Sequence, residues 1–249
     1  NDKKKAGYLV DTTADITRMK GTGTWTVQSA LELLVPIPTI AAAVFSREMS
    51  QDKDIRLSVS DKLKAPASSY SKDPASFVKK AHDALYIAKI SSYAQGFALM
   101  AAASERYGWD LDMGKIASGW RAGCIIRAKF LSRITEEYEK HKKLSNLMAA
   151  PFFSTFIDDN IESLASFIEV SHRAGVPALA MDSSYDYILQ MASPVMVSAQ
   201  VAAQQRDFFG AHGYFKLKEG STQIETKPDG TYQEYHTEWM EKGRPEKRL

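Results

Sequence analysis

Over residues 156–173 the apolar side chains Ile157, Ile161, Leu164 and Ile168 fall four, three and four apart, the spacing that lays one stripe along a helix. Gly175-Val176-Pro177 then supplies a C-cap glycine and a following proline, so that helix should stop there. A longer helix is predicted upstream. Asp73-Pro74 offers a side-chain acceptor at the N-cap and proline at the first helical position, and helix-favouring residues run on to Gly108. Leu85, Ile87, Ile90, Tyr93, Phe97, Leu99 and Met100 fall nearly all round this segment, the pattern of a helix buried among other helices. Further helices are predicted over 25–34, 39–49, 116–138, 178–191 and 194–209, with Pro36 and Pro38 separating the first two. One loose helix fits within residues 1–19, after the mixed-charge start Asp2-Lys3-Lys4-Lys5, and residues 51–74 read as loop or short helix.

No segment shows the strict alternation of a half-buried strand, and no β-α-β rhythm appears, so the fold class is all-α. The chain divides into a helical domain over residues 1–194 and a C-terminal helix with an extended tail over 195–249. From Gly210 the character changes to glycines, Lys227-Pro228-Asp229-Gly230 and balanced charge. Tyr214, Phe215, Tyr232 and Trp239 are too many aromatics for a solvated tail, so it should dock on something.

Composition narrows the function classes. At 249 residues and 44% hydrophobic the chain can bury a real core. Thirty-two basic against thirty acidic residues leave a net charge of +2, too balanced for nucleic acid or a lipid surface, so any anion site is local. The lone cysteine, Cys124, cannot close an intrachain disulfide and sits in an apolar stretch, which fits a reducing, cytoplasmic setting. The most apolar run, residues 33–45, contains two prolines and falls short of the roughly 20 residues a bilayer span needs. Nothing resembles a targeting peptide, and a start at Asn1 suggests a chain processed or cut from something longer.

Candidate chemistry is sparse. Lys20-Gly21-Thr22-Gly23 puts a cation and a hydroxyl on a glycine-rich turn whose N–H groups can converge on an anion, although a short motif of this kind is also an ordinary turn. Arg47 ends an alanine-rich apolar helix, where C-terminal capping or a stem reaching for solvent would also explain it. Arg206 and His212 flank Asp207-Phe208-Phe209-Gly210-Ala211 where helix becomes tail, and His236-Thr237-Glu238-Trp239 is equally unspecific. No histidine pairs with another or with Cys124 at metal-ligand spacing, so no metal site is expected. No Gly-x-Gly-x-x-Gly follows a strand, and no Gly-x-Ser-x-Gly occurs. The residues alone describe a helical domain with scattered candidates for anion binding.

Taken as strings, several segments say more. Met19-Lys20-Gly21-Thr22-Gly23-Thr24-Trp25-Thr26 resembles the signature that opens the substrate-binding segment of 6-phosphogluconate dehydrogenases. Ala43 to Arg47, Ala84 to Phe97, Trp120 to Arg127 and Gln204 to His212 resemble further blocks of that family, in family order. The resemblance runs from about residue 8 to about residue 239. It implies an enzyme that oxidises 6-phosphogluconate with NADP at the C3 hydroxyl, decarboxylates the β-keto acid and tautomerises the enediol to ribulose 5-phosphate. By the same resemblance Lys20, Thr22 and Arg47 grip the substrate phosphate from one subunit. The tail exchanges into the partner of a homodimer, where Arg206 meets the phosphate and His212 the sugar hydroxyls.

Thr24 stands where lysine is common and Ala122 where glycine is, and the charged ending after Trp239 is unlike the family's glycine- and serine-rich tails. The family's catalytic lysine, glutamate and asparagine lie upstream of the signature and its NADP-binding domain further upstream still. This sequence starts downstream of them, so no catalytic or cofactor-binding residue is assigned to it. The expectation is a substrate-site and dimerisation module, inactive alone. The alternatives are a non-catalytic helical scaffold dimer and one half of a two-chain enzyme.

Overall fold

The computed structural model describes residues 7–68, 73–142 and 144–249; the Asp2-Lys3-Lys4-Lys5 start lies outside the described residues. Two compact units emerge, Asn1–Ile188 and Leu189–Leu249. The loose helix expected near the start is a single 3-10 turn, Leu9–Thr12, with no buried residue to hold anything longer.

In the first unit α1 (Thr22–Glu32), α2 (Pro38–Gln51) and α3 (Lys53–Ser60) precede the long α4 (Pro74–Tyr107). The Asp73 carboxylate caps α4, accepting from the N–H groups of Ala75 at 3.1 Å and Ser76 at 3.0 Å. Gly108, at φ 67°, closes it in the left-handed conformation that glycine adopts without steric cost. Ala84, Ile87, Ile90 and Phe97 are essentially inaccessible, but burial is not all round as the sequence pattern suggested, for Leu85 remains 55% exposed. Then come α5 (Met113–Gly119), α6 (Leu131–Lys140), α7 (Pro151–Arg173) and α8 (Leu179–Ala192), the last of which runs past Ile188 into the second unit. α7 lies along α4, with Phe167 stacked on Phe77 at 5.8 Å and the Phe156 ring tilted against Tyr86 at 4.5 Å.

The single helix expected over 116–138 is two. Gly123 adopts φ 69°, and the loop between α5 and α6 is held by its aromatics. Trp120 packs on Phe97 at 5.5 Å, Phe130 meets Tyr93 edge-on at 5.2 Å, and the Tyr93 hydroxyl donates to the Ile126 carbonyl. These contacts with α4 outweigh the helical propensity of the intervening residues, which local composition alone cannot reveal.

A buried polar cluster fixes α2. Gln95 Oε1 accepts from the first-turn N–H of Thr39 at 3.0 Å, and Gln95 Nε2 donates to Thr39 Oγ1 at 2.8 Å and Ser91 Oγ at 3.0 Å. Ser184 of α8 joins Thr39 at 3.0 Å. A satisfied buried network of this kind specifies one register, because any slip leaves polar groups unpaired in a dry core.

The second unit carries α9 (Val197–Gly210) and a small antiparallel sheet of β1 (Tyr214–Phe215), β2 (Glu234–Thr237) and β3 (Glu246–Arg248), paired in that order. The mostly helical architecture is therefore as expected, with these short strands added in the tail. The charged ending beyond Trp239 supplies β3, where Glu246 accepts from Lys216 Nζ at 2.6 Å and from the Tyr214 hydroxyl at 2.5 Å. No helix among the described residues is long and apolar enough to cross a membrane.

Candidate functional site

The segment leading into Lys20 has no regular structure of its own and is fastened from the side. The Asp15 carboxylate pairs with Arg56 and Lys53 of α3, both at 2.7 Å. The Arg56 guanidinium, and after it the Lys53 ammonium, hold the Asp15 carboxyl well below the usual carboxylate range. Ser50 Oγ accepts from the Thr17 N–H at 3.0 Å and donates to the Arg47 carbonyl at 2.7 Å. Arg47 reaches back from α2 and donates through Nη2 to the carbonyl of Arg18. Residues 15–18 are thus tied to α2 and α3, and exposed Lys20 follows two positions later.

Gly21, at φ 102°, makes the turn, and Thr22 and Gly23 are already the first residues of α1. The motif read as a four-residue turn is therefore a turn of one residue feeding a helix. Gly21 at the N-cap has no side chain to cap α1, so among the described residues the N–H groups of its first turn remain at a partly exposed, partly positive helix end beside Lys20 and Thr22. The second glycine has a different purpose: a Cβ on Gly23 would lie 2.8 Å from Cγ2 of Val44, so it lets α1 and α2 approach. Arg47, Lys20 and Thr22 hence belong to one locality of the first unit.

Thr22 also lines a cavity of about 850 Å³ in the same unit, together with Trp25 of α1, Lys89 and Tyr93 of α4, and Trp120 and Arg127 of the following loop. Lys89 and Arg127 were not singled out as site residues from the sequence. Nothing in their spacing sets them apart from solvated charges, and only the fold brings them to one cavity.

Arg206 and His212 lie in the second unit. Arg206 is exposed near the end of α9, and His212 is exposed in the turn that follows. The imidazole of His212 folds over Gly210, where a Cβ would come within 2.6 Å of Nε2. Between the two stands Asp207, 1% exposed. Its Oδ1 lies 2.8 Å from His236 Nδ1 and accepts from the Gly213 N–H at 2.9 Å. Its Oδ2 accepts from the Thr237 N–H at 3.0 Å and the Trp239 indole N–H at 2.9 Å. Burial pushes the Asp207 carboxyl up, but the donors together outweigh it and bring it down to about 2. Sequence reasoning passed over Asp207, since an acid in the last turn of a helix looks solvated.

The family described as 6-phosphogluconate dehydrogenase, C-terminal domain, matches residues 1–239. The chain belongs to that family. Among its relatives, the decarboxylating 6-phosphogluconate dehydrogenase of Escherichia coli is 40% identical over 235 residues, covering 94% of this chain and 47% of its own length. The enzyme of that name from Synechocystis is 40% identical over 240 residues, covering 96% and 48%. The Plasmodium falciparum 6-phosphogluconate dehydrogenase, solved in its apo form and with NADP+ and with 6-phosphogluconate, superposes with a TM-score of 0.82 at 33% identity. That match covers 96% of this chain and 49% of the other. The chain therefore spans about half the length of these 6-phosphogluconate dehydrogenases, and the match to the family ends at Trp239, before β3.

Proposed function

We propose that this chain provides the substrate-phosphate grip and the dimer interface of an NADP-dependent 6-phosphogluconate dehydrogenase, an enzyme that oxidatively decarboxylates 6-phosphogluconate to ribulose 5-phosphate. The observation that carries the reading is Arg47, tied by its guanidinium to the segment that delivers Lys20 to the start of α1. A phosphate dianion needs several charge-assisted donors. Lys20 supplies a point charge, Arg47 the remaining N–H groups of its fork, Thr22 a hydroxyl, and the uncapped helix end its dipole. Arg206 and His212 complete the site from the partner of a homodimer. Phe208 and Phe209, exposed at 51% and 76% with their rings 5.3 Å apart at the end of α9, support a protein partner, because adjacent large apolar side chains left in solvent mark interaction surfaces.

The residues present do not fit NADP. The described part of the chain has no β-α-β unit and no glycine-rich turn from strand to helix, the usual cradle of a dinucleotide pyrophosphate. Cofactor and acid–base chemistry are assigned to the half of the relatives that this chain does not cover, and no catalytic residue to this chain. Gripping the phosphate, remote from the reacting carbon, spends binding energy on orientation for hydride transfer.

Calorimetry tests the reading. The chain should bind 6-phosphogluconate weakly, and Arg47→Ala or Arg206→Ala should lower affinity at least about tenfold, the loss expected for a charge-assisted hydrogen bond. Equal affinity in both variants refutes the assignment, and no binding at all favours the scaffold alternative. Mixed with NADP and 6-phosphogluconate, the chain alone should give no turnover.

A further inference from the structure

We propose that Asp207 is a positioning residue, which sets the direction of His212 by holding the chain on both sides of it. This rests on the reading of Arg206 and His212 as substrate ligands given above. The Asp207 backbone carbonyl accepts from the Ala211 N–H at 2.8 Å, and its carboxylate accepts from the Gly213 N–H at 2.9 Å. Both neighbours of His212 are therefore tied to one residue. Ala211 sits at φ 49°, a left-handed conformation that a residue with a Cβ adopts only where its surroundings enforce it. Here the enforcing groups are visible.

The carboxylate's other partners are His236, Thr237 and Trp239, so the turn is referred to β2 and the residues after it rather than to solvent. Arg206, the preceding residue of α9, shares the backbone that these bonds fix. Gly210 completes the device. It ends α9 with an ordinary negative φ, where alanine would be the better helix former, yet any side chain there meets the His212 ring. Glycine at this position makes room for the imidazole.

A purely structural tie between helix and tail would leave ligand affinity alone, and three variants of the full chain separate the two roles. Asp207→Asn keeps the shape but removes acceptor capacity; Gly210→Ala leaves every Asp207 bond in place and displaces the ring. Tyr235→Phe removes the hydrogen bond to Glu225 and so loosens the tail without touching the turn. Titrations with 6-phosphogluconate, followed by calorimetry and by the His212 ring resonances, should show at least a tenfold loss of affinity and no ring shift for Asp207→Asn and Gly210→Ala. Tyr235→Phe should stay within twofold of wild type.

Wild-type affinity in Asp207→Asn would overturn the proposal, as would an equal loss in Tyr235→Phe. Should Asp207→Asn fail to fold, Gly210→Ala decides, because its melting temperature should not fall and unchanged affinity in it would overturn the claim. No binding by the wild-type chain would overturn the substrate-site reading itself, and the positioning role with it.

Discussion

Gly23 stands in the motif that suggests phosphate binding, yet its absent side chain serves helix packing. A methyl there meets Val44 at 2.8 Å, and overpacking of that kind costs about 1–3 kcal/mol, offset by up to about 1 kcal/mol of helix propensity. Gly23→Ala should therefore lower the melting temperature by a few degrees, at roughly 2–4 °C per kcal/mol for a chain of this size. Val44→Ala should recover part of that loss, and a double-mutant cycle with no coupling would show that the two residues do not meet in solution. Individual residues show where sequence reading stops. Lys20, Thr22 and Arg47 stand out from the residues only as weak anion-binding candidates, since each alone also fits a turn or a helix end, and only the resemblance joins them into one site. Asp207 gave no signal at all, because three of the four partners of its carboxylate are 29 to 32 positions away.

Elements with local instructions were legible. α4 begins and ends where Asp73, Pro74 and Gly108 place it, and Asp73→Ala should cost about 1 kcal/mol, measured by denaturant unfolding, as loss of an N-cap does. The stretch around Trp120 was misread because contacts with α4, remote in sequence, decide its path. The strands of the tail were missed because segments of two to four residues are too short to display alternation. Their anchoring to α9 also makes the tail acid-sensitive. Asp207 titrates at about 2 when folded against 3.8 as a free side chain, so between those values the unfolded state binds more protons. The stabilisation is complete above about pH 3.8 and disappears as pH falls through about 2. Near-ultraviolet circular dichroism of Trp239 should follow that loss, and Asp207→Asn should flatten it; an unchanged acid transition in the variant would assign the effect to other carboxylates.

At the scale of the whole molecule the decisive property is whether one substrate site draws on two chains. If Arg47 comes from one subunit and Arg206 from its partner, Arg47→Ala and Arg206→Ala each empty every site of their own homodimer. Unfolded together and refolded, the two variants form mixed dimers in which one site carries both substitutions and the other carries neither. Random pairing makes half the dimers mixed, so about a quarter of all sites should bind 6-phosphogluconate with wild-type affinity. A site built within one chain has no such remedy, and the mixture would then bind no better than its parents. Calorimetric stoichiometry distinguishes the two outcomes without the cofactor-binding half, since it counts intact phosphate grips rather than turnovers. Restoration would also account for the division of the proposed donors between two compact units of one chain, with Lys20, Thr22 and Arg47 in the first and Arg206 and His212 in the second. Affinity would then depend on the assembled dimer, and dilution below the dimer dissociation constant should abolish binding along with assembly.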